Sequence, residues 1–150
     1  MSQVRISKTY DTLLELKDAG LVAASAAAEV DSAAQILDVG TGMMRGDIII
    51  DVSACEVDTG DESYLVFAQV SSSASFASDI YNVGCMPLGD AAGIATACGA
   101  GDVDQVAGRH ILPITNVVQD GLAKRYLRLY TVVAGTVATG INYSAYLAKE

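Results

Sequence analysis

Apolar and polar positions alternate with a period of two through much of the chain. In Arg125-Tyr126-Leu127-Arg128-Leu129-Tyr130-Thr131-Val132-Val133, Tyr126, Arg128, Tyr130 and Val132 fall on one side and Leu127, Leu129, Thr131 and Val133 on the other. That period, rich in β-branched and aromatic residues, predicts a strand. Ala134-Gly135-Thr136 and Gly140 punctuate the chain, and Ile141-Asn142-Tyr143-Ser144-Ala145-Tyr146-Leu147 alternates again, so a terminal hairpin with a long connection is expected. Asp47 to Cys55 follows the same rule: Ile48, Ile50, Val52 and Ala54 face inward, Asp47, Asp51 and Ser53 outward, and Ile49 is discordant. Residues 63–70 are apolar on both faces and read as a central strand.

Shorter strands are expected at 35–40, 80–83 and 109–115, with Pro113 placing the last at a sheet edge or a bulge. Residues 56–62 form an acidic turn and 71–75 a small-residue loop. Residues 87–108, rich in Gly and Ala, are expected to be irregular and on the surface. The first forty residues leave two readings open. Leu13 to Lys17 and the Ala-rich 21–28 have helical propensity, but an extended arm adding strands to a neighbour fits equally well. The sum is roughly seven to nine short strands, the pattern of an all-β sandwich or barrel.

The formal net charge is −9, from nine basic and eighteen acidic residues. A field of that sign disfavours phosphate backbones and anionic lipid surfaces, so neither nucleic acid nor membrane is an expected partner. Arg5, Lys8, Lys17, Arg45 and Lys149 are spread singly, and only Lys124, Arg125 and Arg128 cluster. Residues 129–148 carry no charge and are long enough to span a bilayer, but their Thr, Gly and Asn content and strand-like alternation argue against a span. Cys55, Cys85 and Cys98 are odd in number and lack C-x-x-C spacing, which suits free thiols in a reducing compartment. Met1 to Arg5 lacks the order of a signal peptide.

Candidate chemistry is sparse. Asp58-Thr59-Gly60 has the form of an aspartic-protease motif, but Glu56, Asp61 and Glu62 would bring water and charge to a site that must exclude both. The acidic turn, like Asp102-Val103-Asp104, lacks the ligand spacing of a calcium loop, and both read as solvated turns. His110 is the only histidine, with no serine in a nucleophile-elbow context to serve. No catalytic, cofactor or metal site is expected. Arg125, Tyr126, Arg128 and Tyr130 alternate on one strand face, which either grips a protein partner or forms cross-strand pairs on an outer sheet face.

The order of these landmarks resembles that of the small jelly-roll cement, or decoration, proteins of tailed bacteriophage capsids. An Ala/Ser/Val-rich N-terminal segment ends at Asp38-Val39-Gly40, followed by Gly46-Asp47-Ile48-Ile49-Ile50-Asp51-Val52, an acidic turn, Tyr64-Leu65-Val66-Phe67-Ala68 and a Gly-rich middle. The chain closes with Arg125-Tyr126-Leu127-Arg128-Leu129-Tyr130, Gly135-Thr136 and Tyr143-Ser144-Ala145. The resemblance implies an all-β, jelly-roll-like antiparallel β-sandwich over residues 29–150, with an N-terminal arm over 1–28. It implies a non-enzymatic virion protein, made in the host cytoplasm, that binds the capsid exterior, cements neighbouring major capsid protein subunits and forms a homo-oligomer, dimer or trimer. Tyr10, Leu13, Leu14 and Leu16 would be the arm's apolar anchors; the helical character of Leu13 to Lys17 departs from the family. A soluble sandwich binding module of carbohydrate-binding or adhesin-like type is the alternative, weakened by the absence of Trp and sustained by seven Tyr.

Overall fold

A computed structural model describes residues 9–98 and 107–149. Twelve antiparallel strands appear among them. Six are short, all in the first forty residues: β1 (Glu15–Lys17), β2 (Leu21–Val22), β3 (Ala26–Ala27), β4 (Glu29–Val30), β5 (Ala33–Ala34) and β6 (Leu37–Asp38). Six are long: β7 (Arg45–Cys55), β8 (Ser63–Ser71), β9 (Tyr81–Gly89), β10 (Gly108–Thr115), β11 (Tyr126–Ala134) and β12 (Ile141–Lys149). The first sheet runs β1-β12-β7-β10, with β2 also on β12, and the second runs β3-β11-β8-β9, with β6 also on β11. β4 and β5 form a separate ribbon. Of the long strands, only β8 and β9 are consecutive and paired in one sheet; the other connections between long strands cross from sheet to sheet, in the jelly-roll order.

The core is what the alternation implies. Ile48, Ile50, Val52, Ile141, Tyr143, Ala145 and Leu147 of the first sheet meet Tyr64, Val66, Ala68, Val70, Leu127 and Leu129 of the second. Ala54, expected inward, is exposed where β7 leaves the core. Ile49 is fully buried all the same, on the outer face, where it packs with Tyr146 and Ala148. β8 lies between β11 and β9, the central place expected of it, and Pro113 lies on β10 at a sheet edge, where a missing N–H costs no ladder bond.

The expected terminal hairpin is corrected. β11 and β12 belong to opposite sheets, β11 on β8 and β12 on β7. Both alternations are real, but their apolar faces look at each other across the core instead of lying side by side. Deep in that space the Thr131 hydroxyl and the Tyr143 phenol meet at 2.6 Å, both buried. Gly135 and Gly140 bound the crossing with φ of 91° and 92°. A Cβ there would collide with the backbone carbonyls of Asp61 and Val22 respectively, so both sites demand glycine.

Two further expectations change. Residues 87–108 are not uniformly irregular: β9 continues through Pro87 to Gly89, and Ala91–Cys98 is a helix, α1. Alanine supplies the propensity, and Asp90 caps the start by accepting the Ala92 N–H at 2.9 Å. The boundary at residue 28 also falls inside the fold. Among the described residues of this segment only Thr12–Leu14 is helical, a 3-10 turn capped by Asp11; from Glu15 the chain adds edge strands to both sheets of its own sandwich. Leu16 is fully buried in the core, and that burial outweighs local helical propensity. Residues 1–8 of the expected arm lie outside the described residues.

Replacing Leu16 by Ala should therefore cost about 3 kcal/mol in urea unfolding, where a residue of a detached arm would cost almost nothing. Tyr143→Phe and Thr131→Val should each cost ~1–2 kcal/mol, because each strands the other hydroxyl in a dry core, while the double variant costs clearly less than the sum. Additive losses would show that the two groups do not share a bond.

Candidate interaction surfaces

Tyr126, Arg128 and Tyr130 lie on the outer face of the second sheet, because Leu127, Leu129 and Thr131 take the inner one, and Arg125 stands just before the strand. The charges of this Arg/Tyr row are engaged. Arg128 sits opposite Gln69 and donates its Nε–H to Oε1 at 2.9 Å. Its guanidinium lies 4.4 Å from the ring centre of Phe76 and 5.4 Å from that of Tyr130. Burial there draws its pKa below the ordinary value. Phe76 reaches this position with a φ of 52°, in the loop between β8 and β9. Arg125, exposed, closes on Asp38 at 2.7 Å, and its hydrogen bonds hold the Asp38 carboxyl below the usual range. The guanidinium of Arg125 also lies 5.5 Å from the ring centre of Tyr126. The row is a half-buried ladder of cross-strand pairs rather than a stripe of free cations.

The four N-terminal candidates divide. Leu13 is 82 % exposed. Tyr10 is exposed, stands edge-on to Tyr146 at 5.3 Å, and donates its hydroxyl to Glu15 at 3.2 Å. Leu14 and Leu16 pack into the core. Tyr10 lies against the outer face of the first sheet, so the structure does not bring it together with the Arg/Tyr row. A shallow hollow beside it is lined by Glu15, Asp51, Arg109, Ser144 and Tyr146, with Arg109 fastened to Asp51 by two hydrogen bonds of 2.7 and 2.9 Å.

The acidic turn is structural, not merely solvated. Glu56 accepts the backbone N–H groups of Ala138 at 3.0 Å, Thr139 at 2.7 Å and Gly140 at 2.6 Å. Asp61 accepts Thr136 through both its N–H, at 2.9 Å, and its hydroxyl, at 3.0 Å. Glu62 is fully buried and accepts the N–H groups of Thr59 at 2.7 Å, Gly60 at 2.9 Å and Asp61 at 3.1 Å, with the Thr59 hydroxyl at 2.6 Å. Burial alone would raise its pKa; these donors outweigh burial and hold it at about 2. Hydrogen bonds led by the N–H of Gly140 lower Glu56, and those led by the N–H of Thr136 lower Asp61. Asp58 is exposed on the same turn. Among the described residues no His, Cys, Asp and Glu converge as three or more metal ligands, and Asp102-Val103-Asp104 lies outside them.

The opposite end of the sandwich carries what sequence reasoning missed. Met43 is 68 % exposed, Leu122 61 % and Ile80 42 %, on three separate loops. Those loops are tied together from beneath. Asn116, fully buried, accepts the Met44 N–H at 2.7 Å and donates its amide to the carbonyls of Gly42 and Lys124, each at 2.9 Å. Lys124, buried, reaches Asp79 at 3.1 Å and lies 4.9 Å from the ring centre of Tyr81. The available signal was a large apolar residue directly after a glycine in a turn, Met43 after Thr41-Gly42 and Leu122 after Asp120-Gly121, where no strand periodicity accounts for it.

No protein-family model matches the chain, and no curated protein matches it. Among the described residues no helix is long and apolar enough to cross a membrane; the uncharged 129–148 is divided between β11 and β12.

The carboxylates of the acidic turn set a pH dependence. The Glu62 pKa falls from 4.5 to about 2, so its stabilisation is complete above 4.5 and is lost as pH falls towards 2. Glu56, Asp61, Asp38, Asp51 and Asp79 are lowered as well and act in the same direction. Calorimetry should find a melting temperature nearly flat from neutral pH down to about 5 and falling steeply below it. Glu62→Gln should lower the neutral plateau and flatten the acid limb; an unchanged acid limb would remove Glu62 from this role.

Proposed function

We propose that this chain is a structural virion protein that binds the outside of a bacteriophage major capsid shell and cements neighbouring subunits, acting as a homo-oligomer. The observation that carries the reading is the three-loop end, where Met43, Ile80 and Leu122 stand out to solvent above a buried scaffold of Asn116 and Lys124. A protein with no use for that end would gain solubility from polar tips; rigid apolar tips suit a surface that meets a partner. Leu13 in the 3-10 turn and Leu21 on β2, both exposed, add a second apolar contact. Together they let one copy touch more than one neighbour, and many copies on a rigid lattice turn weak contacts into firm attachment. The jelly-roll order agrees with the family that the landmark sequence resembles. The acidic surface keeps the unassembled protein apart from nucleic acid.

A second reading has one observation in its favour. Tyr10 and the Asp51–Arg109 pair flank the hollow on the first sheet, an aromatic beside fixed hydrogen-bonding groups, which suits a sugar ring.

Purified protein mixed with pre-expanded and expanded capsid shells should co-sediment with at least one of them. The double variant Met43→Asp with Leu122→Asp should reduce the bound fraction by roughly tenfold, with a melting temperature within about 3 °C of the parent. Absence from both pellets, joined to binding on a glycan array that Tyr10→Ala abolishes, would transfer the assignment to the sugar-binding reading.

A further inference from the structure

Two of the three thiols are brought together by the segment that sequence reading left irregular. Cys85 lies on β9 opposite Phe67. Met86 and Leu88 of the same strand pack towards the core, so Cys85 and Pro87 point to the outer face of the second sheet. The chain turns at Gly89, with a φ of 120°, and α1 folds back to pack on β8 and β9. Gly93 sits so close to the Glu62 carbonyl that a side chain could not fit between them. Ile94 is buried although it belongs to neither core cluster, which places it between helix and sheet.

Cys98 follows Ile94 by four residues on the same side of the helix, at its last turn, where the thiol stays exposed beside the helix–sheet contact. Its sulfur donates to the Ile94 carbonyl at 3.1 Å. The lengths agree. From Ala91 to Cys98 the helix rises about 10 Å, and the strand from Gly89 back to Cys85 covers about 13 Å, so the last turn of α1 arrives over Cys85. Burial pushes the Cys85 thiol up, and the charge of the neighbouring Cys98 adds to it. Cys55 lies on β7, in the other sheet.

We propose that Cys85 and Cys98 are a disulfide site, reduced in the chain as made and closed by exchange with a low-molecular-weight disulfide such as oxidised glutathione. The exposed Cys98 thiolate attacks the oxidant, forms a mixed disulfide and releases one small thiol. The Cys85 thiolate then attacks the Cys98 sulfur, forming the internal S–S bond and expelling the second thiol. The protein loses two protons and two electrons, and the oxidant is reduced to two thiols. Raised by burial, Cys85 is a slow attacking group, so closure follows capture at Cys98 and does not precede it. The bond fastens the helical connection to the sheet and leaves the three-loop end untouched, so the inference is independent of what that end binds.

The test is incubation of the full-length protein with oxidised glutathione, followed by intact mass and non-reducing peptide mapping. The expected product is a monomer lighter by two hydrogens, with a Cys85–Cys98 peptide pair, Cys55 still alkylatable, and a melting temperature raised by roughly 5 °C. Cys55→Ser should give the same product, and Cys85→Ser should stop at the glutathione adduct on Cys98. A wild-type adduct that persists on Cys98 without closing would overturn the proposal, as would a Cys98–Cys98 dimer as the main product.

Discussion

The structure depends on the meeting of β11 and β12 across the core. Leu127 and Leu129 on one side and Ile141, Tyr143, Ala145 and Leu147 on the other are consecutive in sequence yet belong to opposite sheets. The connection between them must cover the spacing of two packed sheets, about 10 Å, and turn sharply at each end. Gly135 and Gly140 make the turns, and Glu56 collects the amides of Ala138, Thr139 and Gly140 that the crossing leaves without strand partners. An unpaired amide at a partly buried site is costly, so the carboxylate and the two glycines form one device. The Thr131–Tyr143 bond then fixes the height at which the strands face each other. Burial pushes the Tyr143 phenol up to about 12, so it remains a neutral hydroxyl throughout the physiological range.

From that crossing the two ends of the sandwich acquire different characters. One end is closed by carboxylates that accept backbone hydrogen bonds, Glu56, Asp61 and Glu62, with α1 packed beside them. Their charge is consumed internally, so an acidic turn that reads in the sequence as solvated serves in the structure as a clasp. The other end uses a buried amide and a buried ammonium to hold three loops, and spends its apolar residues on solvent. A rigid frame beneath exposed hydrophobic tips lowers the entropy lost on docking, and that is the physical content of the cementing role proposed for this chain.

Much of the fold was legible because period-two patterns record burial directly. β7, β11 and β12 lie where alternation places them, β8 where an apolar run on both faces does, and of the edge or bulge that Pro113 indicates β10 takes the edge. What alternation does not record is which sheet a strand joins. Residues 126–134 and 141–149 carry the same pattern whether they pair with each other or face each other; the partners they take, β8 and β7, and the contact between Thr131 and Tyr143 across the core distinguish the cases. Propensity is right in one place and overridden in another: Ala-rich 91–98 is the helix its alanines favour despite Gly93, and Leu16 is drawn into a strand by the core. Tyr126, Arg128 and Tyr130 share the face that period two assigns them, but Phe76, which covers Arg128, comes from a loop whose φ of 52° no periodicity signals. Met43 and Leu122 escaped notice because an apolar residue in a turn looks like noise until its neighbours are known.

A reconstruction of capsid shells incubated with the full-length protein tests the central claim most directly. The account predicts this sandwich on the outer surface of the shell, with the end bearing Met43, Ile80 and Leu122 against the capsid subunits. Density that instead approaches the shell through the end carrying α1 and the acidic turn, or shells that stay bare at saturating protein, would contradict it.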